Sequence, residues 1–500
     1  MHSISKKRLT KNLLISVMVQ AASLAISFLL NLAVPKFIDE YQYTYWQTYL
    51  LYVGYVGVLH FGLLDGLVLR YSKYDYHELD KPRIRSQFLW LLSYTGIIAI
   101  GVSTFSLSRI GGTGKWIMVL VAVGIVTKNL VTYSLYSFQI TNRVSKYALL
   151  IMLQKFIYGF GVAILLLLRV NDFVWYCLAD LAGDLLGTLI ISFFNRGMYF
   201  GKVISFIESA TELRQNVTAG IFLMLANWSA MMLLGGAKMF AQWHFDDLLF
   251  GKISFAFSVL NLFLTFVTTI SVVLFPALKR LDEDTLPTLY KQIRDVVTLV
   301  LLFAIALYFP GCWVLGKWLP AYAPSLVYLG LVLPLVIYSS KVSLLTNNFL
   351  KVYRKQRLLL LINLGSVLLG GACFAVSTFV LDSVECLLLS MVAVIIVNSV
   401  VSELVVTKHI RIRFVKDFIF EGIVTVLFIL IAYYVRKLWL GFLLYLGVIA
   451  VYCALNPKAV TGLMRSVFSR KRRGEAQHEP SQNEQQREAG ESPRHDEQTL

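Results

Sequence analysis

Fourteen stretches of predominantly apolar residues follow one another along the chain, separated by short polar loops. A helix needs roughly 20 apolar residues to cross a bilayer, so each stretch is a candidate transmembrane helix. They lie at approximately 12–34, 45–69, 86–107, 116–138, 148–169, 174–194, 216–236, 252–276, 292–315, 324–348, 358–380, 385–407, 417–435 and 439–455. The last two are short and closely spaced, so twelve or thirteen crossings also fit. The pattern predicts an all-α polytopic membrane protein.

Composition excludes a pair of soluble domains. Hydrophobic residues make up 57% of the 500 residues and charged residues only 15%, with a mean hydropathy of +0.68. Soluble domains carry roughly 25% charged residues. The net charge of +17 comes from short basic bursts between apolar stretches, which argues against a nucleic-acid partner. The five cysteines are odd in number and lie in apolar stretches, and no metal-binding spacing accompanies them.

The distribution of basic residues predicts the orientation. With the N-terminus inside, most of the 46 Lys and Arg residues fall in the N-terminus, the inner loops and the C-terminal tail. Cytoplasmic loops carry such an excess, so we predict that both termini are cytoplasmic. Every outer loop is short, which leaves no room outside for a catalytic domain. We therefore expect a carrier and not an enzyme.

A weak internal repeat predicts two lobes. Spans four and five are joined by Phe138-Gln-Ile-Thr-Asn-Arg143, and spans ten and eleven by Phe349-Leu-Lys-Val-Tyr-Arg354, with Phe and Arg at one constant offset. We predict a 6 + 6 duplication followed by two extra spans. The predicted units are a basic cytoplasmic N-terminus (1–11), an N-lobe (12–194), a cytoplasmic inter-lobe linker (195–215), a C-lobe (216–407), spans thirteen and fourteen (408–455) and a cytoplasmic tail (456–500).

The tail has two parts. Val460, Met464 and Val467 have helical spacing and precede the basic run 470–473, which favours an interfacial helix near anionic headgroups; a solvated stop-transfer tail fits equally. From Gly474 onward the composition is typical of disorder.

Three lysines inside predicted spans are candidate substrate-binding residues, because a charge in hydrocarbon is costly. Lys128 lies near the middle of span four, Lys341 in span ten close to the equivalent position of the repeat, and Lys155 in span five. A phosphate or pyrophosphate group would need such partners. The alternative is that Lys128 or Lys155 forms an internal ion pair.

Three acids are candidate ion-coupling or counter-ion residues. Asp180 and Asp184 lie one turn apart on one face of span six, and Asp65 lies near the inner end of span two. A proton or cation relay and a lysine counter-ion both fit the first two, and Asp65 can simply cap the inner end. His60 in the same span fits an interhelical hydrogen bond.

Nucleotide-driven transport has no support in the sequence. The segment 111–115, Gly-Gly-Thr-Gly-Lys, resembles part of a phosphate loop, but Arg109 and Trp116 stand where that motif needs Gly and Ser or Thr. We expect no bound cofactor, and energy from a proton or sodium gradient or from consumption of the product.

Several motifs resemble the polysaccharide flippases of the multidrug/oligosaccharidyl-lipid/polysaccharide exporter (MOP) superfamily. These are Gly62-Leu-Leu-Asp65-Gly66-Leu-Val-Leu-Arg70-Tyr71, Phe250-Gly251-Lys-Ile-Ser254-Phe255 running to Leu274-Phe275-Pro276-Ala277-Leu278-Lys279-Arg280, and Asn348-Phe349-Leu350-Lys351-Val352 with Arg354, Lys355 and Asn363. The resemblance covers roughly residues 10–410 and implies a two-lobed bundle like that of the drug/cation antiporters (MATE).

The resemblance also implies a function. It is Wzx-type translocation of polyprenyl-pyrophosphate-linked oligosaccharide repeat units to the outer leaflet of a bacterial cytoplasmic membrane. The implied partners are the lipid-linked oligosaccharide, membrane lipids and other polysaccharide-assembly proteins; the oligomeric state stays open. A peptidoglycan-precursor flippase and a drug or cation antiporter of the same fold are the alternatives, and the lysines favour an anionic substrate.

Overall fold

The structure, a computed structural model, describes residues 6–74, 76–141, 143–278, 285–353, 355–410 and 415–457. Throughout these ranges the regular structure is helical, without strands. The predicted interfacial helix and disordered tail fall in 458–500, outside the described residues. The loop residues Lys279, Arg280 and Arg354 also fall outside them.

The first half of the chain folds into seven helices. They are α1 (Lys6–Phe37), α2 (Glu40–Tyr55), α3 (Leu63–Tyr71), α4 (Lys81–Arg109), α5 (Gly114–Ile140), α6 (Val144–Leu167) and α7 (Phe173–Phe194). Asp39, Asp80 and Asp172 accept hydrogen bonds from the first-turn amides of α2, α4 and α7, and so fix where these helices begin. Helices α1, α2, α4, α5, α6 and α7 pack together as the N-lobe.

The second half continues with eleven helices. They are α8 (Phe206–His244), α9 (Asp247–Leu278), α10 (Leu286–Ala306), α11 (Tyr308–Trp318), α12 (Ser325–Val332), α13 (Leu335–Lys341), α14 (Asn347–Val352), α15 (Gln356–Ala375), α16 (Val384–Ile410), α17 (Val415–Tyr434) and α18 (Leu438–Leu455). Helices α8 to α16 pack as the C-lobe, and α17 and α18 pack on it through α10, α11 and α12.

The predicted fold class, an all-α polytopic membrane protein, is confirmed. Among the described residues, twelve helices are long and apolar enough to cross a membrane, and the bent pair α2 and α3 makes a thirteenth. Helix α1 adds the shorter apolar segment Ala22–Phe37. The predicted total of fourteen is thus approximate.

The predicted span 45–69 is broken in the structure. The helix is interrupted between α2 and α3, and the two parts meet at a bend of 52°. Phe61 and Gly62 have φ values of 49° and 80°, a left-handed conformation that cannot continue a helix. The bend turns α3 towards the start of α8.

Glycines make the contact between α3 and α8 unusually close. A Cβ atom on Gly66 would lie 1.9 Å from the Asn216 carbonyl oxygen, and one on Gly220 would lie 2.0 Å from the Gly62 oxygen. Only glycine allows two backbones to approach in this way. The first half of the chain therefore meets the C-lobe backbone to backbone at this end of the molecule.

The tenth predicted span is also interrupted. Pro334 lies between α12 and α13, and a π-helix, Val342–Thr346, lies between α13 and α14. Proline lacks the amide that the helix ladder needs, and π-turns insert an extra residue per turn. Most residues of this segment are buried among the other helices of the C-lobe. It places Lys341 among the neighbouring helices α10, α16 and α17.

The predicted inter-lobe linker 195–215 is partly helical. Ser205 accepts a hydrogen bond from the Glu208 amide, so α8 begins at Phe206. The non-helical connection ends at Ser205. The other boundaries predicted for the N-lobe, the C-lobe and the terminal segments remain predictions.

Candidate functional site

A cavity of about 380 Å³ lies between the two lobes. Helices α1 and α2 supply one wall, and α8 and α9 supply the other. Its polar and charged lining residues are Asn31, Gln47, Tyr55, Lys238, Ser258 and Asn261. The cavity therefore offers hydrogen-bonding groups from both lobes inside an otherwise apolar bundle.

Lys238 is the charged residue in this lining. Its ammonium lies 5.8 Å from the ring centroids of both Phe250 and Phe257, and no carboxylate of the described residues forms an ion pair with it. A half-buried ammonium without a counter-ion attracts anions strongly, because it has lost hydration and gained no salt bridge.

The sequence analysis did not select Lys238. The predicted seventh span ended at residue 236, which assigned Lys238 to an outer loop. Helix α8 in fact continues to His244. The apolar residues Ala237, Met239, Phe240 and Ala241 around the lysine were the available signal.

A second cavity, of about 280 Å³, lies inside the N-lobe. Helices α1, α5, α6 and α7 surround it. It brings together four of the predicted residues, Lys128, Lys155, Asp180 and Asp184, with Gln154 and Tyr158 beside them.

Lys128 is paired with both acids of α7. Its Nζ lies 2.9 Å from Asp180 Oδ2 and 2.7 Å from Asp184 Oδ2. The Tyr49 hydroxyl donates a further hydrogen bond of 2.9 Å to Asp180. Lys155 lines the same cavity, and no carboxylate of the described residues pairs with it. The geometry of Lys128 is that of a counter-ion; substrate contact by Lys128 or Lys155 stays a prediction.

Replacing Lys128 by methionine is expected to lower the thermal stability of the purified protein. Two neighbouring carboxylates then lose their counter-charge, and breaking a buried pair costs about 3–5 kcal/mol. Lys128→Met/Asp184→Asn should recover most of this loss, because the two substitutions remove one positive and one negative charge. A Lys128→Met protein as stable as the wild type would contradict the counter-ion assignment.

Lys341 belongs to a buried network in the C-lobe. Its Nζ lies 2.7 Å from Glu403 and 2.8 Å from Glu421, and the residue is only 1% exposed. Arg294 completes the network with bonds to the same two glutamates, at 3.0 Å for Glu421. Asp417 Oδ2 lies a further 3.4 Å from Arg294, so two cations face three carboxylates. Substrate contact by Lys341 stays untested, and in this conformation its charge is already balanced.

Asp65 lies apart from the other predicted acids. It is buried at the start of α3, with His60 Nε2 at 3.6 Å and the Tyr136 hydroxyl at 3.4 Å. This position is next to the close contact of α3 with α8, not in the N-lobe cavity. A role for Asp65 in ion coupling stays a prediction.

A third cavity, of about 200 Å³, lies within the C-lobe and shares Leu234 and Leu264 with the inter-lobe cavity. Its polar lining is uncharged: Ser339, Ser340, Ser343, Asn347, Asn363 and Asn398. Asn398 donates hydrogen bonds to Asn363 and Ser366. These amides form the interhelical contacts expected of them and leave room for a small polar group.

Contacts between the lobes lie on both sides of the inter-lobe cavity. On one side Tyr43 of α2 packs against Tyr322, with ring centroids 5.3 Å apart, and Phe255 of α9 completes the cluster. On the other side Arg70 of α3 donates hydrogen bonds to Glu212 and to Gln215 of α8. Both contacts join the first half of the chain to the C-lobe.

Solved structures with this arrangement include the lipid II flippase MurJ in an inward closed conformation. Its TM-score is 0.63 at 10% identity, over 89% of this chain and 100% of MurJ. An inward-facing MATE multidrug transporter of the MOP superfamily has a TM-score of 0.57 at 13% identity, over 79% and 98%. A MOP transporter from Pyrococcus furiosus has 0.51 at 12% identity, over 80% and 96%.

The chain shares the fold of these solved structures. At these identities the likeness establishes the fold alone. No family sequence model matches the chain, and no curated protein matches it. Among the described residues, no group of three or more His, Cys, Asp or Glu side chains is arranged to hold a metal ion.

Proposed function

We propose that this protein is a flippase that moves polyprenyl-pyrophosphate-linked oligosaccharide repeat units from the inner to the outer leaflet of a bacterial cytoplasmic membrane. The observation that carries the proposal is Lys238, an ammonium without a described counter-ion in a polar cavity between two lobes. The sequence motifs that resemble polysaccharide flippases support the same substrate class.

The physical task explains why such a cavity is needed. The lipid tail stays in the bilayer, while the sugars and the pyrophosphate must cross hydrocarbon about 30 Å thick. Gln47, Asn31, Ser258 and Asn261 replace part of the hydration of the sugars. Lys238 balances phosphate charge that would otherwise be buried without a partner.

The two inter-lobe contacts provide the alternation. We infer that the Arg70–Glu212 side and the Tyr43–Tyr322 side separate in turn, so that the cavity faces one leaflet at a time. We further propose that both termini are cytoplasmic and that transport is not driven by ATP. A proton or sodium ion acting at Asp180, Asp184 or Asp65 is the proposed energy input, along with consumption of the product.

A peptidoglycan-precursor flippase is the second candidate. The specific observation in its favour is that the likeness to MurJ covers 89% of this chain, whereas that to the MATE transporter covers 79%. Both substrates join a saccharide to a polyprenyl pyrophosphate, so Lys238 suits either. A cation antiporter fits less well, because Lys238 would repel a cationic substrate.

Deleting the gene in its native host tests the proposal. The lipid-linked saccharides of the deletion strain would be separated by thin-layer chromatography, and their leaflet determined with a membrane-impermeant sugar-reactive reagent on intact spheroplasts. We expect the intermediate to accumulate on the cytoplasmic side while surface polysaccharide disappears. Re-expression of the full chain should reverse both effects.

Two other outcomes distinguish the alternatives. Lysis with accumulation of the peptidoglycan precursor would assign the second candidate. Normal turnover of all lipid-linked saccharides, together with retention of toxic cations in the cells, would overturn the flippase proposal and favour antiport.

A further inference from the structure

The connection between the lobes has a fixed conformation. Met198 and Tyr199 are buried against the N-lobe. Arg85 of α4 donates hydrogen bonds to the carbonyl oxygens of Gly197, at 3.0 Å, and of Lys202, at 2.6 Å. The directions of the neighbouring side chains are therefore set by the fold.

Large apolar side chains point outward from this fixed segment. Phe200, Phe206 and Ile207 are 68%, 73% and 78% exposed. A contiguous exposed apolar surface marks an interaction site.

A groove of about 320 Å³ runs beside these residues, between α4 and the start of α8. Leu89, Trp90, Val203, Ile204 and Phe206 form its apolar walls, and Ser86, Ser93 and Ser209 add hydroxyls. The Trp90 indole donates a hydrogen bond of 2.9 Å to Ser209, and its ring centroid lies 5.3 Å from that of Phe206. Apolar side chains therefore form most of the groove lining.

The edge of the groove is basic. Lys202 and Arg196 are exposed, and Arg85 precedes Ser86 of the groove wall. In the described part of the chain none of these three cations pairs with a carboxylate; Arg196 stacks 4.3 Å from the Phe193 ring. Glu208 is the nearby acid, exposed in the first turn of α8.

We propose that this groove binds an anionic phospholipid of the leaflet that borders the inter-lobe linker. The phosphate lies against Lys202, Arg196 and Arg85, and one acyl chain occupies the groove along Trp90 and Phe206. Basic residues next to an exposed apolar surface at membrane depth are the combination that anionic lipids recognise. The site is separate from the inter-lobe cavity, so it does not depend on the proposed substrate.

Quenching of Trp90 by brominated lipids tests the site. The full-length protein and Trp90→Phe would be reconstituted in bilayers containing brominated phosphatidylglycerol or brominated phosphatidylcholine, and the difference in fluorescence gives the Trp90 signal. We expect half-quenching at a several-fold lower mole fraction of the anionic lipid. Trp243, exposed near Asp246 and Asp247, is the matched control and should show no such preference.

The charge dependence completes the test. Lys202→Gln/Arg196→Gln should bring the two lipids to equal quenching while leaving quenching by phosphatidylcholine unchanged, which also shows that the groove is intact. Equal quenching of the wild-type Trp90 by both lipids, absence of quenching, or an undiminished preference in the double variant would each overturn the proposal.

Discussion

Substitution of Lys238 by alanine should lower translocation of the lipid-linked saccharide by roughly 100-fold or more. The phosphate charge would enter the cavity without its counter-charge, and removing one member of a buried charge pair costs about 3–5 kcal/mol. Lys238→Arg should retain most of the activity, because a guanidinium also binds phosphate. The measurement is the initial rate at which the intermediate becomes accessible in the outer leaflet, beside the amount of surface polysaccharide.

Lys317→Ala is the matched control for Lys238. Lys317 is an exposed lysine of α11 that lies 4.0 Å above the Trp313 ring, outside the cavity lining. It should keep the wild-type rate. Transport at the wild-type rate by Lys238→Ala would show that the anionic group does not pass this residue.

Substitution of Glu421 by alanine should lower the free energy of unfolding by about 3–5 kcal/mol, the usual cost of leaving a buried cation without its partner. Lys341 and Arg294 would then share Glu403 deep in the C-lobe, and only Arg294 would keep a second carboxylate, Asp417, at 3.4 Å. Thermal unfolding of the detergent-solubilised protein, followed through labelling of the buried thiols of Cys177 and Cys312, measures this loss.

A charge-balanced variant separates lost charge from lost packing. Lys341→Met/Glu421→Met leaves the Arg294–Glu403 pair intact, so we expect much of the stability to return. Asp382→Asn, which breaks the exposed His244–Asp382 pair, should change stability by less than about 1 kcal/mol. A Glu421→Ala protein as stable as wild type would show that the network contributes nothing to folding.

The fold was accessible from the sequence because length and hydropathy alone determine which segments can cross hydrocarbon. Most predicted spans lie within a few residues of the observed helices, as for 385–407 and α16. The breaks within the second and tenth predicted spans could not be predicted from the sequence. The bend at Phe61 and Gly62 depends on the close approach of α8, and the π-helix after Lys341 depends on tertiary packing; neither leaves a periodic signal.

The candidate site was predicted in part. Selecting charges inside spans found Asp180 and Asp184, whose spacing is a property of the single helix α7, and Lys128 of α5, which the structure brings to both. The same rule missed Lys238, since it lies where a helix extends past its hydrophobic window. Glu403 and Glu421 were not selected as partners of Lys341, although both lie inside predicted spans.

The buried network also has a consequence for the order of synthesis. Arg294, Lys341 and Glu403 lie on α10, α13 and α16, whereas Glu421 and Asp417 lie on α17, which leaves the ribosome later. Until α17 enters the bilayer, these three residues of the network comprise two cations and one carboxylate. We therefore expect the C-lobe to reach its final packing only after α17 has been inserted, and a nascent chain arrested before residue 415 to expose that positive charge to chaperones and membrane proteases.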